Sequence, residues 1–246
     1  MDARRVLIVD DDPDIVVYLT SFLEDNGYET RAAADGADAL AAVAEFRPDA
    51  VLTDVLLPGR SGLDLLVTLR HPRVVALSID GNEAAAGRTG PRFAEAFRRA
   101  GAAGLKRTVH AGESSGPEGV RDAIELLGAD RIDHGVRAIE DPSVVALLVD
   151  KRIALGVCPT SNLKLGVVPA IEQHPIERLR HAGVAVSVNT DDPALLDTSL
   201  EQEYALCRDT FEWSDDDVWS VARTSIDASF ANDDVKTRLR EALSRW

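Results

Sequence analysis

The acids and histidines of this chain fall in a pattern. Asp10, Asp11, Asp12, Asp54, Asp80, His110, Glu113, His134, Asp191 and Asp192 each stand at or just after the end of a short run rich in Val, Ile and Leu. Gathered carboxylates suit a hard divalent cation, and an imidazole beside a carboxylate carries protons or binds metal, so the pattern reads as a shared site. If the run ends meet, that many carboxylates remain ionised together only around a cation or with raised pKa values. A divalent metal that also stabilises the fold is therefore expected.

The elements that must position these groups are legible as eight apolar runs: Val6 to Asp10, Tyr28 to Ala33, Ala50 to Asp54, Val74 to Ile79, Lys106 to His110, Arg131 to Gly135, Ile153 to Cys158 and Val184 to Thr190. Amphipathic stretches separate them, as in βα units around a parallel sheet. Examples are 13–26, 36–46, 61–70, 91–101 and 117–127. From Ser199 to Trp246 the chain reads as two or three further helices, one capped near Ser214 and Asp215 and another over 231–245. Eight such units in 246 residues have the rhythm of a (β/α)8 barrel, whose chemistry sits at the C-terminal strand ends.

Composition narrows the field. With 27 basic against 42 acidic residues and a formal charge of −15, the chain has no basic surface for nucleic acid. A 45% hydrophobic content supports a real core, and no run approaches the ~20 apolar residues of a membrane span. The start, MDARRVLIVDDD, runs into acids rather than into a signal-peptide apolar region, and Cys158 and Cys207 lie far apart outside any CxxC. A cytoplasmic protein with reduced, structural thiols is expected. His174 and His181 read as surface residues, His71 as a junction residue, and Trp213, Trp219 and Trp246 as packing groups. Oligomeric state is not legible.

Two resemblances occupy different parts of the chain. VLIVDDDPD at 6–14 and PDAVLTDVLLPGRSGLDLL at 48–66 resemble the receiver domain of bacterial response regulators, a flavodoxin-like α/β fold. The resemblance implies Mg²⁺ held by Asp10 and Asp11 and a phosphoryl group accepted by Asp54; Ser78 could imitate the family's hydroxyl residue. No receiver-like lysine segment follows. From about Pro72 onward, SIDGNE at 78–83, TVHAGE at 108–113, RIDHG at 131–135, VCPTSN at 157–162 and SVNTDDP at 187–193 resemble the C-terminal part of an adenosine deaminase, a zinc-dependent barrel hydrolase. That resemblance implies Zn²⁺ held by His110 and Asp191. Glu113 would protonate the purine ring and His134 would orient the attacking hydroxide, while Asp192 and the backbone around Gly81 would hold the base. Imidazole and carboxylate are the donor types Zn²⁺ takes, and zinc lowers the pKa of its water toward ~7.

The family's HxH pair, which would supply two more zinc ligands, is missing: the five histidines include no such pair. Three receiver-like units, 1–71, and five deaminase-like units, 72–246, sum to eight. The expectation is an engineered or recombined chimera, an α/β hybrid TIM-like barrel with extra C-terminal helices and no catalytic activity. Asp10 and Asp12, spaced i and i+2, would occupy the vacant ligand positions. Two alternatives stand beside it: a residual zinc-dependent adenosine deaminase acting on a purine nucleoside, and a Mg²⁺-dependent phosphoacceptor at Asp54.

Overall fold

The computed structural model describes residues 3–54, 57–58, 62, 65, 74–87 and 90–245. Most of the helix expected at 61–70, together with His71, the junction at 71/72 and Trp246, lies outside the described residues. The chain divides into two compact units, Met1–Val74 and Val75–Trp246.

Strands form at all eight expected runs. In the first unit they are β1 (Arg5–Val9), β2 (Glu29–Ala33) and β3 (Ala50–Thr53), all parallel, in the order β2-β1-β3. The reason lies in the residues. Val6, Leu7, Ile8 and Val9 of β1 are all buried, the signature of a strand covered on both faces, whereas β2 reads ETRAA with only Ala33 buried, as an edge strand does. Leu7 and Val9 share one face with Ala39 and Ala42 of the helix Gly36–Phe46. The helix Pro13–Asp25 starts on a proline, is capped by Asp12, and has no fully buried residue.

A barrel of consecutive units would place β2 between β1 and β3. The chain places β1 there, which is the doubly wound order. No closed barrel is found among the ladders of the described residues.

In the second unit β4 (Ala76–Ile79), β5 (Lys106–Ala111), β6 (Arg131–His134), β7 (Ala154–Val157) and β8 (Val186–Val188) form one parallel sheet in chain order. The helices Gly90–Ala102, Pro117–Glu125, Pro142–Lys151 and Ile176–His181 alternate with these strands. Their apolar faces meet the sheet in one core that includes Phe97, Ile132, Leu148, Leu155 and Leu179. Leu155 is fully buried on β7, so Leu155→Ala is expected to cost about 3 kcal/mol, measured as a lower urea midpoint with an unchanged slope.

Three helices close the chain: Leu200–Phe211, Asp215–Ala228 and Asp233–Leu243. The second opens with a reciprocal capping box between Ser214 and Asp217. Trp213 is buried, donates from Nε1 to Glu177 Oε1 at 2.6 Å and lies under the Arg180 guanidinium, a packing role. Among the described residues no helix is long and apolar enough to cross a membrane.

Candidate functional site

Strand alternation sets the first placement. Along β5, Val109 and Ala111 are core residues, while Thr108 and His110 project from the opposite face. Thr108 Oγ1 donates to Asp133 Oδ2 on β6 at 2.6 Å, which ties the neighbouring strand ends together. At the end of β6, His134 takes a left-handed backbone, φ 65°, and Gly135 follows at φ 69°. A Cβ at Gly135 would meet Leu155 Cδ2 at 2.5 Å, so glycine there lets the turn close over the core. The His110 and His134 rings come to 4.5 Å between centroids. A cavity of about 260 Å³ opens over these strand ends, lined among others by Ser78, Asp80, His110, His134, Cys158 and Asp191.

Glu113, in the turn after β5, is buried. Its turn is held by a residue from another element: Glu83, also buried, accepts from the backbone N–H groups of Gly112, Glu113, Ser114 and Ser115 at 2.8 to 3.3 Å and from the Ser115 hydroxyl. Glu113 Oε1 accepts from Asn162 Nδ2 at 3.0 Å and lies 3.2 Å from His134 Nδ1. Asn162, in the short helix Pro159–Lys164, is fully buried. Its neighbour Ser161 donates to Asp191 Oδ2 at 2.7 Å.

These contacts set the protonation states. Burial would raise the Glu113 carboxyl, but the His110 and His134 rings beside it and the Asn162 bond outweigh it and lower its pKa. Burial works against a charged His110, yet Glu113 and Asp80 together raise it. For His134 burial is the largest influence and lowers its pKa, although Glu113 nearby acts the other way. Burial also pushes the Cys207 thiol up to about 12 and raises Cys158 further; both cysteines are free and buried.

His110 presents the donor geometry of a metal-bound histidine. Its Nδ1 is 2.8 Å from Asp80 Oδ1, while its Nε2 is buried without a hydrogen-bond partner, 3.4 Å from Glu113 Oε2. A carboxylate that takes one ring N–H and leaves the other nitrogen bare is the usual support of a metal-ligating imidazole. His110 Nε2 is thus of the donor type a zinc ion takes.

Ligand atoms of His110, Glu113 and His134 lie within 4.8 Å of one another, as do those of His134, Cys158 and Asp191, and those of Asp10, Asp11 and Asp54. Among the described residues no such group joins His110 to Asp191. Asp192 stands outside these groups, opening the short helix Pro193–Leu196 without a side-chain capping bond. Gly81 adopts φ 121° just after β4, and a Cβ there would meet nothing within 4 Å. Asp12 uses its side chain to cap its helix through Asp14 N–H, and its own N–H is held by Asp10 Oδ1.

Sequence reasoning missed Glu83, Asn162 and His174. The first two lie inside quoted motifs, and only their contacts reveal a role. His174, read as a surface residue, is instead buried, at 3% exposure, because its ring bridges two elements, whereas the His181 side chain is 80% exposed. Burial pushes His174 down to about 4 from 6.5. Folding therefore favours the neutral ring: the stabilisation is full above the unfolded-state value near 6.5 and is lost as pH falls toward 4. The expected loss reaches about 3 kcal/mol across that window. Urea titrations at stepped pH, compared between the parent and His174→Gln, isolate it from the carboxylates that titrate nearby, and identical pH profiles would count against it.

Comparison with known proteins follows the same division. Residues 60–246 match the family model described as adenosine deaminase, and residues 6–90 match that of the response regulator receiver domain. The chain is 38% identical over 220 residues to the adenine deaminase of Agrobacterium fabrum, covering 89% of this chain and 63% of that protein. It is 42% identical over 174 residues to the adenine deaminase of Sinorhizobium medicae, covering 71% and 53%. Among solved structures it is similar to the adenine deaminase of Arthrobacter aurescens, with TM-score 0.70 and 26% identity over 99% of this chain and 73% of that one. An amidohydrolase of Burkholderia ambifaria with bound Zn gives TM-score 0.68 and 26% identity over 94% and 60%. The chain spans between half and two thirds of the length of these curated relatives.

Proposed function

Because this chain belongs to the adenosine deaminase family through residues 60–246, with a receiver segment matched at 6–90, we propose that it is a chimera of the two whose deaminase-like part, taken as 72–246, keeps the acid and histidine half of an adenine deaminase site and is catalytically silent on its own. The observation that carries this reading is His110 Nε2, buried without a hydrogen-bond partner, in a chain whose five histidines include no HxH pair. His110 and Asp191 would hold zinc, but catalytic zinc sites take three protein ligands. When bound, zinc supplies Lewis acidity that lowers the pKa of water toward ~7. The chain's own groups would do the rest. Glu113, anchored by Asn162, exchanges a proton with the ring nitrogen; His134 orients the attacking oxygen; Asp192 and the backbone at Gly81 hold the base.

The curated relatives carry the name adenine deaminase, so the free base replaces the nucleoside as the expected ligand. A cytoplasmic setting agrees with two free thiols. The test is ammonia release from adenine and from adenosine, with and without added Zn²⁺, beside a zinc-binding titration. Zinc binding without ammonia supports the reading. Zinc-dependent ammonia that disappears in His110→Ala overturns it and makes the chain a working deaminase.

A second reading is favoured in the first unit, where the Asp10, Asp11 and Asp54 carboxylates converge. Mg²⁺ at Asp10 and Asp11 would let Asp54 accept a phosphoryl group from a small donor. Acetyl phosphate with Mg²⁺ would then add one phosphoryl mass, lost in Asp54→Asn; no mass gain would refute it.

A further inference from the structure

His174 sits away from the cavity lining, yet its ring is locked at both nitrogens. Its Nδ1 accepts from Ile176 N–H at 3.1 Å, so the ring proton of the neutral form resides on Nε2. Nε2 lies 3.1 Å from Asn162 Oδ1 and can only donate there. The Asn162 amide is thereby fixed, oxygen toward His174 and nitrogen toward the site. Its nitrogen then donates to Glu113 Oε1 at 3.0 Å, and His134 Nδ1 lies 3.2 Å from the same oxygen. All four residues after Ile176 in this chain, His174, Asn162, Glu113 and His134, are buried. A flipped amide would set an oxygen against the Glu113 carboxylate and leave buried groups unsatisfied.

We infer that His174 is a positioning residue: through Asn162 it fixes the carboxylate of Glu113. A ring held by one backbone N–H thus sets the direction of the hydrogen bonds as far as that carboxylate. Describing Glu113 and His134 as reacting groups rests on the function proposed above. Their hydrogen bonding does not, and it is read in the chain without substrate or turnover.

Two substitutions separate positioning from packing. His174→Gln keeps a donor near the Nε2 position, whereas His174→Asn keeps an acceptor near Nδ1 for Ile176 N–H but cannot reach Asn162. ¹⁵N-resolved NMR of the full chain reads the Asn162 side-chain amide hydrogens and the ring nitrogens of His134 and His174. In the parent, His174 is expected as the Nε2–H tautomer, with slowly exchanging Asn162 hydrogens. His174→Gln should retain that protection. His174→Asn should exchange about tenfold faster, the equivalent of one hydrogen bond, with backbone shifts of β5 to β7 unchanged. Equal protection in the two variants, or better protection in His174→Asn, overturns the inference. So does an Nδ1–H tautomer of His174 in the parent, a reading that needs no variant to fold. Were ammonia release to show a working deaminase, the silent reading would fail while this one stood.

Discussion

Glu83→Gln is expected to destabilise the Val75–Trp246 unit by about 3 kcal/mol and to release the turn that carries Glu113. The size follows from the bonding. Glu83 Oε1 accepts from Gly112 N–H and the Ser115 hydroxyl, and Oε2 accepts from the N–H groups of Glu113, Ser114 and Ser115. With the amide nitrogen at the Oε2 position three backbone donors lose their acceptor; at the Oε1 position the Gly112 N–H loses its acceptor, while the Ser115 hydroxyl turns to accept. Gly119 shows how closely the carboxylate is seated, since a Cβ there would meet Glu83 Oε1 at 2.8 Å and Ser115 Oγ at 2.5 Å. Equilibrium denaturation of the parent and variant measures the loss, and amide exchange at Gly112 to Ser115 locates it. A loss below about 1 kcal/mol, within the range of ordinary surface substitutions, would show that water replaces the carboxylate.

His110→Ala is expected to weaken Zn²⁺ binding at least a hundredfold while leaving the sheet folded. Loss of a supporting residue alone costs a metal site about ten- to a hundredfold, and His110 is the donor itself. Its Nε2 is the buried nitrogen without a hydrogen-bond partner, and Asp80 at Nδ1 orients it. Competition against a fluorescent chelator gives the affinity, and Asp80→Asn in the same assay should fall between the two. A His110→Ala affinity within about threefold of the parent would mean that zinc binds elsewhere, with His134, Cys158 and Asp191 as the next group to examine.

Much of this was legible in the residues. VLIV followed by three acids marks β1 as a covered strand ending in a carboxylate cluster, and Ser214 followed three residues later by Asp217 marks a helix start; both form as read. The strand order of the first sheet was less accessible. A period of hydrophobicity identifies strands but not their neighbours, and the clue was the polar sequence of β2, which suits an edge. Asp12 shows a second limit: its spacing from Asp10 suggested a ligand pair, but the first turn of the following helix takes its side chain as a cap. Glu83 and His174 show a third. A carboxylate that serves backbone N–H groups 29 to 32 residues away, or a histidine whose partner lies 12 residues earlier on another element, leaves no pattern in a linear reading.

The order of strands in the second sheet has a consequence for how the site would come apart. Among the described residues β4 and β8 are its outer strands, each with one ladder neighbour, while β5, β6 and β7 are bonded on both sides. The imidazoles of His110 and His134 belong to the inner strands, and the carboxylates of Asp80 and Asp191 follow the outer ones. Sub-global opening is cheapest where fewest bonds break, so the rim should exchange its amides first. A cation held between an inner histidine and an outer carboxylate would then leave by its acid side, with His110 still in place to receive the next one.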